Sequence, residues 1–203
     1  MIAAMILASA AGTAVARPEQ HFTTVFPLTG DTFQLGFLPR FDPSLGTLQQ
    51  VQLDWRAEVT REVLVSHDTR PENRILVYDD LGADVQFGAP NVIINSLVSN
   101  SVGLVIPGNT DGPTNFFPGD LVHEGLMVVN PIDHPLYTGD GNFNVPFSST
   151  FLANVDFFPD GVSAAAATLK AGGFLTVTYT YIPAPGAAAL LGLGGLAASR
   201  RRR

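Results

Sequence analysis

Cysteine is absent from the 203 residues, which excludes a disulfide framework, a thiolate metal centre and a cysteine nucleophile. Charge is scarce: 14% of residues are charged against 46% hydrophobic, the opposite of the balance that keeps a chain disordered. Basic residues are few, 11 against 18 acidic, and a net charge of −7 excludes the basic face that nucleic acid requires. Tryptophan occurs once and tyrosine four times beside 14 phenylalanines, so the aromatics with polar tips that suit a wet sugar-binding face are in short supply. No G-x-S-x-G, P-loop, Rossmann fingerprint or H-E-x-x-H is present. Gly 20 and Pro 15 are too few and too irregular for collagen or a low-complexity linker, but they suit many turns.

What charge there is lies unevenly. Four of the eleven basic residues are the last four, Arg200, Arg201, Arg202 and Arg203. Without them the chain is an acidic body, and a basic terminus on an acidic body points to a tail with its own task. Residues 184–199 carry no charged side chain. As a helix they would span roughly 24 Å at about 1.5 Å per residue, enough for a thin or transient membrane crossing. The arginines at its end place that end on the cytoplasmic side and the body outside. Pro183 and Pro185 break regular structure just before it and leave an extended segment for a protease. At the other end, residues 2–11 are apolar or small and have the length of a signal-peptide core. Ala14 and Ala16 satisfy the small-residue cleavage rule, so cleavage is expected after Ala16. No Lys or Arg precedes the apolar run.

Between the two ends the periodicity is two. From 51 to 65, Val51, Leu53, Trp55, Ala57, Val59, Val63 and Val65 take odd positions, with polar residues on the even ones; Arg61 and Leu64 break the alternation. That is a long strand with one buried face, and the break at Arg61 marks a place for a bend or bulge. Leu175, Val177, Tyr179 and Tyr181 alternate with Thr176, Thr178 and Thr180 in a second strand. Shorter candidates are 22–26, 32–38, 74–78, 92–98, 102–106, 121–129 and 151–158. Turn signals separate them at 79–82, 109–113, 117–120, 139–141 and 159–161. Residues 163–170 fit a helical turn or a small-residue strand. Many short strands with regular turns predict an all-β antiparallel sandwich, jelly-roll or immunoglobulin-like, over 17–182. A signal peptide (1–16) and a tail with an apolar helix (183–203) flank it.

The tail resembles the PEP-CTERM sorting signal of Gram-negative bacteria, in which a Pro-Glu-Pro motif, an apolar helix and an arginine cluster are read by an exosortase. Here the motif is Pro183-Ala184-Pro185, with alanine in the glutamate position. The segment Phe41-Asp42-Pro43-Ser44-Leu45-Gly46-Thr47-Leu48 and the closing Thr176-Val177-Thr178-Tyr179-Thr180-Tyr181 resemble the choice-of-anchor E domain, over roughly 20–182. That family implies a surface destination and no known catalytic activity. The signal peptide implies Sec-type export machinery, and the tail resemblance implies an exosortase-like enzyme, with the inner membrane as a transient or permanent anchor.

Chemistry-bearing candidates are sparse, and no catalytic residue, cofactor or metal is assigned. His123-Glu124 reads as strand side chains. Asp133-His134 sits in a loop between two prolines, and His67-Asp68 ends the long strand. Asp140-Gly141-Asn142 and Asp111-Gly112 offer oxygen ligands for calcium but also read as ordinary hairpin turns, and EF-hand spacing is missing. Trp55 lies on the apolar parity of its strand and reads as core. The expectation is an exported, non-catalytic surface or matrix protein. Two alternatives remain: an exopolysaccharide-binding module acting through Tyr137 or loop aromatics, and a secreted hydrolase using carboxylates among Asp111, Asp120, Glu124 and Asp140.

Overall fold

The computed structural model describes residues 17–67, 74–108, 112–158 and 165–184. The expected signal peptide with Ala14 and Ala16, the expected tail from Pro185 through Arg200–Arg203, and Asp68 and Asp111 lie outside the described residues.

The described chain forms nine strands: β1 (Glu19–Thr29), β2 (Phe33–Pro39), β3 (Gly46–His67), β4 (Arg74–Ala89), β5 (Val92–Ile106), β6 (Gly112–Phe116), β7 (Leu121–Val128), β8 (Asn142–Phe158) and β9 (Ala165–Pro183). All pairings are antiparallel and make two sheets. The first runs β1-β9-β3, with β6 and β7 both alongside the far edge of β3. The second runs β2-β8-β4-β5. This is the expected all-β sandwich.

The alternation read from residues 51–65 is the alternation of the fold. Val51, Leu53, Ala57, Val59, Val63 and Val65 are all buried between the sheets. The bulge expected at Arg61 is absent, because the pairing of β3 with β9 runs unbroken from Gln50–Thr180 to Val65–Ala165. Arg61 keeps the inward parity and is only 5% exposed, while Leu64 keeps the outward one. The register shift in β3 falls instead between Leu48 and Gln50.

The strands are fewer and longer than expected. Asp79-Asp80-Leu81-Gly82 is not a turn: β4 continues through it, and a register shift between Tyr78 and Leu81 accommodates the two aspartates. A bulge lets two polar residues stay outside without reversing the chain. Likewise 92–98 and 102–106 are one strand, and 165–170 extends β9, with Ala165 and Ala167 packed against buried Val63, Val65 and Leu169. Two apolar clusters fill the interior, and Phe26 of β1 stacks on Phe147 of β8 at 5.0 Å, tying one sheet to the other.

Candidate functional site

β9 ends at Pro183, the first residue of the expected sorting motif Pro183-Ala184-Pro185. It is a central strand, flanked by β1 and β3, and its pairing with β3 ends at Gly46–Pro183. The Ala184 N–H then donates to the Leu45 carbonyl at 2.9 Å. Gly46 is required here: at φ +152 an added Cβ would sit 1.9 Å from the Ile182 carbonyl oxygen. The turn Pro43–Leu45 that carries Leu45 is capped by Asp42, whose carboxylate accepts the Ser44 N–H at 2.8 Å. The two segments resembling the choice-of-anchor E domain thus meet in the fold. Gly46, Thr47 and Leu48 pair with Pro183, Ile182 and Tyr181, and the Phe41 ring lies 5.2 Å from that of Tyr181. Among the described residues no helix is long and apolar enough to cross a membrane. The expected apolar helix lies beyond Ala184.

The outer face of the first sheet carries a polar depression of about 540 Å³. Thr176, Thr178 and Thr180 of β9 form its floor, between Glu19 and His21 of β1 and Gln50, Gln52 and Asp54 of β3. The side chains hold one another. Thr178 Oγ1 is 2.9 Å from His21 Nδ1, Thr180 donates to Glu19 at 3.4 Å, and Gln52 donates to Asp54 at 3.1 Å. Glu19 lies 3.6 Å from His21 Nε2, so carboxylate, imidazole and hydroxyl are in line. The strands β1 and β9 are distant in sequence, which is why this grouping was not visible there. Backbone N–H groups of a central strand are taken up by its two neighbours. The face therefore offers side-chain donors and acceptors rather than backbone ones.

A second depression, also about 540 Å³, opens on the outer face of the other sheet, between Arg40, Asn142 and Asn144 on one side and Gly88, Pro90 and Ile93 on the other. The pairing of β4 with β8 ends at Phe87–Phe147, and beyond it the β4–β5 hairpin parts from β8. Phe33, Leu35 and Phe37 of β2 are exposed beside it, and Phe37 pairs with Asn144.

Other candidates fall elsewhere. Tyr137 is fully buried, its hydroxyl donating to the Pro90 carbonyl at 3.0 Å, so it cannot serve as a sugar platform. Burial first, and Asp133 second, push its phenol well above the ordinary range. Trp55 packs against the core beneath Gly125, as expected, with its indole nitrogen buried and unpartnered. His123 is a strand residue of β7, 2.7 Å from Ser96 Oγ, and Ser96 is wholly buried. Asp120 lies in the β6–β7 connection beside Arg61, and Glu124 sits on β7 opposite Arg56. Asp140 is far along the sandwich, where the Gly139 N–H donates to the Phe41 carbonyl. No group of three or more His, Asp or Glu able to hold a metal occurs among the described residues.

No protein-family model and no curated protein matches the chain. Among solved structures, a chain of the T13 viral particle of infectious bursal disease virus is 12% identical, with 78% of this chain and 42% of that chain covered and a TM-score of 0.14. A chain of the Gt strain of that virus is 13% identical, with 84% and 44% covered and a TM-score of 0.12. The chain spans less than half the length of those proteins, and at such scores the likeness carries no argument.

Proposed function

We propose that the chain is an exported, non-catalytic surface or extracellular-matrix protein of a Gram-negative bacterium. The tail holds it at the inner membrane until an exosortase-type enzyme cuts near Pro183-Ala184-Pro185. The observation that supports this is the position of the motif. Ala184 makes the last described backbone hydrogen bond to the body, so cleavage after it removes the tail and leaves β9 whole. The sandwich between the ends is a folded cargo with its core intact on either side of that cut. Cell fractionation tests the reading: the tailed precursor should be found in the membrane fraction and the shortened product outside the cell, and an intact chain soluble in the cytoplasm would refute it.

A second reading, binding of exopolysaccharide, draws on the exposed Phe33 and Phe37 beside Asn144 and the depression at Arg40. Apolar ring faces next to amide side chains suit sugar rings and hydroxyls. It predicts retention on a polysaccharide column that is lost when Phe33 and Phe37 are changed to alanine.

A further inference from the structure

Both ends of the described body emerge at the same end of the sandwich. The Tyr181 N–H donates to the Pro18 carbonyl at 3.3 Å, so the chain enters the sheet beside the residues through which it leaves. Sixteen residues precede Arg17 and nineteen follow Ala184, and these are the two flanks expected to enter a membrane.

The connection at this end is held close to the exit. In the 3₁₀ turn Pro131–Tyr137, the Tyr137 carbonyl accepts the Phe41 N–H at 2.8 Å and the Leu136 carbonyl accepts Arg40 Nε at 3.2 Å. Just before the turn, the Val129 N–H donates to the Val51 carbonyl at 2.9 Å. Yet the turn spends two large apolar side chains on solvent: Ile132 is 80% exposed and Leu136 45%. Ile182, two residues before the exit, is 51% exposed. Nothing in the core uses these three.

We propose that this end of the sandwich rests on the lipid bilayer, with Ile132, Leu136 and Ile182 entering its interface. The inference builds on the reading that the tail enters the membrane. Reach decides it. Only Pro185 and Gly186 separate Ala184, still bonded to the body, from the uninterrupted apolar stretch. Two extended residues cover about 7 Å. The polar layer on each side of a bilayer is of similar depth, roughly 5–8 Å. A body tethered that closely cannot stand clear of the headgroups, and large exposed apolar side chains facing the interface gain by entering it. The charges at this end set the lipid preference. Arg17 and Arg40 are outnumbered by Glu19, Asp42, Asp133 and Asp140. Two of these carboxylates are engaged locally, Asp42 with the Ser44 N–H and Asp133 with the Asn91 amide. The contact should therefore favour zwitterionic lipid and weaken as anionic lipid is added.

The lack of cysteine makes the test clean, since a single introduced thiol is labelled uniquely. The full chain carrying I132C, L136C or V105C takes an environment-sensitive fluorophore and is reconstituted into phosphatidylcholine vesicles. Val105 is the control, being exposed on β5 well away from the exit. The expected result is a blue-shifted emission, quenched by a lipid-borne quencher, at 132 and 136 but not at 105, and a smaller shift when phosphatidylglycerol is included. A chain that resists carbonate extraction while its 132 label is as wet as the 105 label overturns the inference and leaves the anchor standing. A chain that washes off the vesicles overturns both.

Discussion

The hydroxyl of Tyr179 donates to the carbonyl oxygen of Pro39 at 2.8 Å, joining β9 to the end of β2 across 140 residues. Tyr179 is fully buried, and its ring lies 5.8 Å from that of Phe41. The bond ties the last strand to the segment that leads into β3. Tyr179→Phe keeps the ring and strands the carbonyl, which costs about 1–3 kcal/mol for a buried unpaired group. Urea denaturation should show a lower midpoint with an unchanged slope. Burial holds the phenol protonated far above its ordinary range, so the bond persists through any mildly alkaline titration.

Arg61 is the polar residue inside the alternation of β3, and it binds three elements at once. Its guanidinium donates to the Leu81 carbonyl at 3.2 Å, the Pro118 carbonyl at 3.1 Å, the Gly119 carbonyl at 2.9 Å and the Asn100 side chain. Removing a charged donor from several carbonyls at once is expected to cost on the order of 3 kcal/mol. Arg61→Met should show that loss in thermal melting. Arg61→Lys should recover little, because a single ammonium cannot reproduce the planar fork.

Gly125 leaves room for the only tryptophan. An added Cβ would lie 2.3 Å from Trp55 Cζ2 and 2.7 Å from Cη2. Gly125→Ala should push the indole outward, and the red shift of tryptophan emission reports on Trp55 alone. An unchanged spectrum would mean that the sandwich yields elsewhere.

Asp42 caps the turn that holds Ala184. Its carboxyl is lowered by its hydrogen bonds to Ser44, first the side chain and then the backbone. A carboxyl lowered by folding contributes stability above its unfolded pKa and loses it as pH falls through the folded value. The wild-type melting temperature should therefore fall between about pH 5 and pH 2 more than that of Asp42→Asn, which keeps a capping oxygen but no charge. Equal acid profiles would contradict the assignment.

The period-two signal gave away β3, β9 and the buried faces, because one buried side of a long strand leaves a strict parity that even Arg61 obeys. Strand ends were harder to read. Asp79 and Asp80 look like a turn in sequence, whereas the neighbouring strands absorb them in a bulge. Tyr137 lies between turn residues and reads as exposed, but the connection folds back and buries it beneath Pro90. The polar face joining His21, Gln52 and Thr178 depends on which strands become neighbours, and local patterns do not encode that.

The intact mass and location of the mature protein in its native cell, beside a variant lacking Arg200–Arg203, test the central claim most directly. The account predicts that the exported product has lost residues 1–16 and the tail beyond the Pro183-Ala184-Pro185 motif, and that the variant is not processed. A product found in the membrane with residues 186–203 still attached, in wild type and variant alike, would contradict it.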